Sequence, residues 1–205
     1  MKLHWSPRSP YVKTVMIAAH EMGLQDKIEC VRTAVSALQP VESFFADNPL
    51  NKIPALVLDD GMVLYDSRVI CEYLDTLHYG EKLYPAAGPE RLLTLRNQAL
   101  GIGFLDVLLV RLHERNKPAE RQTPEIVASN ERKTRETADR LEQDIALLTD
   151  RPYDISHVAI GTALAYLDFR FTGEDWRAGR PGLTAWHAGF LDRPAVRANP
   201  FADDS

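Results

Sequence analysis

Residues 48–67, NPLNKIPALVLDDGMVLYDS, constrain the fold more than any other stretch of the chain. Two apolar runs, Ala55-Leu-Val-Leu and Met62-Val-Leu-Tyr, flank Asp60-Gly61, a pair that suits a tight hairpin turn. Pro54 has no N–H to give to a ladder, so it belongs at the start of the first run or on an edge. Read as a cis peptide, the Ile53–Pro54 bond turns the Ile53 N–H and C=O outward as a pair, ready to bind an extended peptide in antiparallel fashion. Read as trans, it only ends a loop. Asp66-Ser67 then opens a helix expected over 67–77, with Val69, Ile70, Tyr73, Leu74 and Leu77 on one face. As caps, Asp66 and Ser67 satisfy the free N–H groups of that helix. The same geometry, open N–H groups and a dipole beside a carboxylate, suits both charges of an amino-acid head group.

The chain changes character around this segment. Upstream, Lys2 to Trp5 reads as a short strand, Tyr11 to Met22 carries apolar residues at helical spacing, and Ile28 to Thr33 alternates, which predicts a β-α-β opening. From Gly88 onward long helical patterns replace the strand signals, over 89–115, 123–148, 155–169 and shorter pieces after Gly182. Lys82-Leu-Tyr-Pro-Ala-Ala-Gly-Pro between them has linker chemistry. The expected organisation is an α/β domain over 1–80, a linker over 81–88 and an all-helical domain over 89–205.

With 205 residues and 45% hydrophobic content, the chain buries enough for one large or two small domains. Its 29 acids and 24 bases are scattered, for a net charge of -5, so neither nucleic acid nor an anionic membrane is an expected partner. Cys30 and Cys71 stand outside any CxxC or Cys/His cluster, which predicts no metal site and no disulfide framework and fits a reducing cytoplasm. The N-terminal Met-Lys-Leu-His-Trp is followed by serines and prolines where a secretory signal needs an apolar run. No later stretch reads as a membrane span, so a soluble cytoplasmic protein is expected.

Three segments together resemble the cytosolic glutathione transferase superfamily, in its bacterial branch with a serine in the N-terminal motif: SPRSPYVKTVMIAAHEMGL, NPLNKIPALVLDDGMVLYDSRVICEYLD and RPYDISHVAIGTAL. The resemblance covers essentially the whole chain. It implies a thioredoxin-like N-terminal domain of β-α-β-α-β-β-α order followed by an all-α C-terminal domain, and a homodimer. It also implies a glutathione transferase that joins reduced glutathione, as co-substrate and without a metal, to a small electrophile. Carried over by position, Ile53 pairs its backbone with the cysteinyl unit of glutathione, Pro54 is the cis-proline, and Asp66 and Ser67 hold the γ-glutamyl end. Lys52 either meets a glutathione carboxylate or is a solvated loop lysine.

Ser9 falls where redox-active relatives keep a cysteine, and it is the residue the resemblance marks as catalytic. With Pro10 at the first helical position it is also a well-formed N-cap. The two roles are compatible, since a sulfur docked above this helix start meets the hydroxyl, free N–H groups and the positive end of the dipole. A thiol of pKa ~8.5 is ~3% ionised at pH 7, and a drop of ~2 units makes it mostly thiolate. Trp5 and Ser6 stand where some classes place a catalytic tyrosine, so Ser6 is a second candidate hydroxyl. Tyr11, on the first helical turn, reads as packing. The absence of a cysteine at position 9 removes mixed-disulfide chemistry. Two rival readings keep the same thiolate site or none: a lyase or isomerase for one compound, and a glutathione-binding protein without turnover.

In the helical half, Asp154 caps a helix, and His157 stands where the family usually has an acid; it reads as structural. The second substrate is expected between the halves, against the helix that begins near Pro89, with Phe104, Leu108, Arg111 and His113 along its lining faces. Arg111 would suit an anionic electrophile or a glutathione carboxylate. Residues 115–124, RNKPAERQTP, read as a solvated loop.

Overall fold

The computed structural model describes residues 1–36 and 39–203. They form two compact units, one made of Met1–Ala87 and the chain from Pro194 onward, the other of Gly88–Arg193. This differs from the expected boundary, because the last segment returns to the first unit instead of finishing the helical one. Pro194 follows the end of a helix at Leu191, and the chain beyond it packs on the first helix of the fold.

The first unit is thioredoxin-like. Strands β1 (Lys2–Trp5), β2 (Glu29–Arg32), β3 (Ala55–Val57) and β4 (Val63–Leu64) form one sheet in the order β2-β1-β3-β4. β1 runs parallel to β2 and antiparallel to β3, and β3 is antiparallel to β4. Helix α1 (Pro10–Glu21) buries Val12, Val15, Met16, Ile17, Ala18 and Ala19, and α2 (Ser67–Asp75) buries Ile70, Cys71 and Leu74. That second stripe, spaced three and four apart, leaves Val69 48% exposed, so Cys71 takes the core place expected for Val69. The Asp60-Gly61 hairpin closes with Gly61 at φ 87° and the Asp60 carboxylate accepting the Met62 N–H at 2.9 Å.

Between β2 and β3 the expected helix is reduced, among the described residues, to a 3-10 turn over Glu42–Ala46. Pro40 and Pro49 bracket this region, and the residue before each proline is pushed out of the helical region, leaving too few positions for an α-helix. Helix α2 stops two residues before the expected Leu77. Its last side chain, Asp75, turns to accept the Leu83 and Tyr84 N–H groups, and Lys82 Nζ donates to the carbonyls of Asp75 and His78. These bonds fasten the linker chemistry of residues 81–87 onto the first unit.

The second unit contains α3 (Gly88–Arg115), α4 (Pro124–Gln143), α5 (Ala146–Thr149), α6 (Ile155–Arg170) and α7 (Pro181–Leu191); α8 (Pro194–Arg197) belongs to the first unit. Contrary to expectation, α3 is long and apolar enough to cross a membrane, with an 18-residue window of mean hydropathy 1.3. It packs along α6 and α4 and buries Asn97, Gln98, Arg111 and Glu114, as the central helix of a folded core does. Gly101 lets α3 approach α6, since a Cβ there would lie 2.7 Å from the Ala159 carbonyl carbon and the Ile160 nitrogen. At the start of α6, Asp154 accepts the Ser156 N–H at 2.9 Å, and His157 Nδ1 accepts the Asp154 N–H at 3.1 Å. His157 thus completes the capping box in place of an acid.

Candidate functional site

Strand register brings three loops to one edge of the first unit's sheet. His4 of β1 pairs with Ala55 of β3, so the C-terminal end of β1 lies beside the start of β3. Leu64 of β4 pairs with Leu56, which places the end of β4 at the same edge. The chain therefore delivers there the Ser6–Ser9 turn that follows β1, the Lys52-Ile53-Pro54 turn that precedes β3, and Tyr65-Asp66-Ser67 after β4. Open α/β sheets bind ligands at such an edge, where strands end and helix N-termini begin.

Ser9 caps α1. Its Oγ accepts the Val12 N–H at 3.4 Å, its N–H donates to the Ser6 carbonyl at 3.2 Å, and Pro10 stands at the first helical position. Because the oxygen acts as acceptor in the cap, the hydroxyl keeps a proton that it can donate. Ser6 differs: it is only 2% exposed and lies beneath the turn, while Ser9 is half-buried.

The Ile53–Pro54 bond is cis. β3 begins only at Ala55, so Ile53 stands outside the ladder. Two asparagines shape the approach to it. Asn51, at φ 51°, bonds both the N–H and the C=O of Val41 through its side chain, each at 2.9 Å. Asn48 is buried; its Nδ2 donates to the Lys52 carbonyl at 2.7 Å and its Oδ1 accepts the Leu50 N–H at 3.0 Å. Lys52 itself is exposed. One step further out, His4 Nε2 lies 2.9 Å from Asp47 Oδ2 and its Nδ1 lies 2.8 Å from Thr33 Oγ1, tying β1 to the segment before Asn48. These roles were not read from the sequence, although the pattern N-P-L-N-K, with asparagines where a turn needs side-chain bonds and a left-handed residue, carried the signal.

Asp66 caps α2, accepting the Arg68 N–H at 2.9 Å, and the Tyr65–Asp66 bond is cis. Burial alone would push its carboxyl up. Hydrogen bonds from the Arg68 guanidinium and backbone, together with the guanidinium charge, outweigh this and hold it below the usual carboxylate value. Asp66 stays exposed, while Ser67 is 1% exposed as the first residue of the helix. The edge thus carries two helix N-termini, a hydroxyl, a carboxylate and the backbone of Ile53 ahead of the ladder.

The residues expected to line a second-substrate groove have other duties. Phe104 and Leu108 are buried, and His113 is exposed. Arg111 is not a free cation: both its terminal nitrogens bond the Glu174 carboxylate, one at 2.7 Å, Glu131 lies at 3.4 Å, and its guanidinium lies 4.4 Å from the Phe171 ring centroid. A buried guanidinium needs such partners, and the acids that supply them lie far along the chain.

Comparison with known proteins bears on the fold and the family. Residues 8–77 match the family described as glutathione S-transferase, N-terminal domain. Over 186 residues the chain is 31% identical to the uncharacterized GST-like protein YibF of Escherichia coli strain K12, covering 89% of this chain and 90% of that one. A glutathione transferase family member from Pseudomonas fluorescens Pf-5, solved with bound glutathione, is 37% identical with a TM-score of 0.93, covering 98% of this chain and 99% of that one. A glutathione S-transferase from Methylobacillus flagellatus KT, also solved with glutathione, is 30% identical with a TM-score of 0.86 over 98% of this chain and 99% of that one. Sequence, fold and edge geometry point the same way, and the chain belongs to the cytosolic glutathione transferase superfamily.

Proposed function

We propose that this protein binds reduced glutathione at the edge formed by Ser9, Ile53-Pro54 and Asp66-Ser67, ionises its thiol, and directs the thiolate at a small apolar electrophile. The observation that carries this reading is the register that brings the Ser9 turn, the Ile53 backbone and the α2 cap together. In it, the Ile53 N–H and C=O pair with the cysteinyl backbone of an extended tripeptide. The Asp66 carboxylate takes the γ-glutamyl ammonium, and the start of α2 at Ser67 takes the neighbouring carboxylate. Lys52, exposed beside Ile53, meets the remaining carboxylate.

With the peptide held so, its sulfur lies above the start of α1. The Ser9 proton and the dipole favour the thiolate. A shift of ~2 pKa units, worth ~2.7 kcal/mol, is within reach of one charge-assisted hydrogen bond and a helix N-terminus. Ser9 is favoured over Ser6 because Ser6 is buried under the turn. The thiolate then attacks the electrophile, a carbon–sulfur bond forms, and the leaving group departs with its electron pair; the protein supplies ionisation and placement. One relative, the Pseudomonas fluorescens Pf-5 family member, solved once with glutathione and once with S-(propanoic acid)-glutathione bound, supports the choice of ligand. On the family resemblance we also read the chain as a cytoplasmic homodimer, which light scattering at a mass of two chains would bear out.

Calorimetric titration with reduced glutathione tests the first step. Saturable one-to-one binding is expected, and the absence of binding would remove the reading. Turnover of several aryl halides separates a transferase from a lyase or isomerase dedicated to one compound.

A further inference from the structure

We propose that Lys13 is a positioning residue that anchors the C-terminal segment as a strap across α1 and so holds the Pro7–Ser9 turn. Lys13 lies one helical turn beyond Ser9, its N–H donating to the Ser9 carbonyl at 3.0 Å. It is only 5% exposed, on a helix whose other buried residues are mostly apolar. A lysine is rarely buried unless its ammonium is partnered. Here the partners come from 187 residues away: Nζ donates to the Pro200 carbonyl and lies 5.1 Å from the Phe201 ring centroid. Burial lowers the ammonium's pKa to about 8, so it remains protonated at neutral pH and keeps its need for these partners.

The strap has fastenings on both sides of this anchor. Asn199 Nδ2 donates to the Ala195 carbonyl at 2.8 Å and lies 3.0 Å from His20 Nδ1, near the end of α1. Ala202 N–H reaches the Pro7 carbonyl at 3.5 Å. The segment therefore runs along α1 from His20 past Lys13 to Pro7, two residues before Ser9. From the inner side the same turn is closed by the Ser9 N–H on the Ser6 carbonyl. Lys13 is buried and turned to the strap, so it acts on Ser9 through Pro200, Phe201 and Ala202 and touches no ligand.

The structural claim stands apart from the proposed function; its chemical consequence rests on it. A loosened turn displaces the Ser9 hydroxyl, whereas the γ-glutamyl contacts sit on α2 and are untouched. The test uses the full chain as parent, Lys13→Met, Lys13→Arg and Phe201→Ala, first without ligand. Amide hydrogen exchange at Ser9 and Val12 is expected to quicken about tenfold or more in Lys13→Met and Phe201→Ala. Lys13→Arg restores slow exchange, and amides of β3 and α2 exchange as in the parent. Parent-like exchange at Ser9 and Val12 in both variants would overturn the proposal. With glutathione added, Lys13→Met should raise the pKa of the bound thiol while the dissociation constant changes less than about twofold. An unchanged thiol pKa beside an ionising parent would overturn the positioning role. If the parent binds no glutathione, the functional reading falls, and the exchange rates alone decide the strap.

Discussion

The Thr94 hydroxyl donates to Asp154 Oδ2 at 2.6 Å, joining two residues 60 positions apart. The cap of α6 is thereby also a tie to α3, and both residues are buried. Burial would raise the Asp154 carboxyl, but hydrogen bonds from the Ser156 and Thr94 hydroxyls and from the backbone N–H groups of Ser156 and His157 help bring it down to about 2. The folded state thus favours the ionised form. Its contribution to stability is present above pH ~4 and is lost as pH falls through about 2. Asp154→Ala should lower the unfolding free energy by about 2 kcal/mol in urea titration at pH 7. It should also flatten the loss of stability between pH ~4 and ~2; a parent-like acid profile would contradict the assignment.

Gly101 and Gly103 differ in their surroundings although both lie on α3. A Cβ on Gly101 would strike the α6 backbone at 2.7 Å, whereas one on Gly103 meets nothing within 4 Å. Gly101→Ala is expected to destabilise by about 1–3 kcal/mol. Gly103→Ala should stabilise by about 0.4–1 kcal/mol, because alanine suits a helix interior better. Thermal melts of the two variants, moving in opposite directions, check the close approach of the helices.

Asp66 offers a test of the binding assignment. Asp66→Ala should weaken glutathione about tenfold or more, as loss of a charged hydrogen bond does. Loss of the cap costs only about 1 kcal/mol of stability, so the variant stays folded. Calorimetry showing parent affinity would remove the γ-glutamyl contact from Asp66.

Much of this was legible in the sequence because local chemistry determined it. Ser9-Pro10 starts α1, Asp60-Gly61 makes the hairpin, and Asp66 caps α2, each through bonds to residues two or three positions away. What the sequence did not reveal depends on distant partners. Arg111 reads as available in sequence because Glu174 is 63 residues off, and nothing in a cap motif announces the side-chain fork of Arg68 on Asp66. The helical pattern after Gly182 places the C-terminal segment with the helical half, whereas its partners Lys13 and His20 lie at the other end of the chain. The helix expected between β2 and β3 rests on the resemblance alone, and Pro40 and Pro49 carry the local chemistry that leaves a 3-10 turn at Glu42–Ala46.

Ionisation of bound glutathione by the Ser9 hydroxyl can be read from the thiolate absorbance of the saturated complex, recorded against pH for the parent, Ser9→Ala and Ser6→Ala. A midpoint ~2 units below the ~8.5 of a free thiol is expected in the parent. Ser9→Ala should move it upward by about one unit or more, and Ser6→Ala should leave it in place. A parent midpoint at the free-thiol value, or an upward shift in Ser6→Ala alone, would contradict ionisation by Ser9.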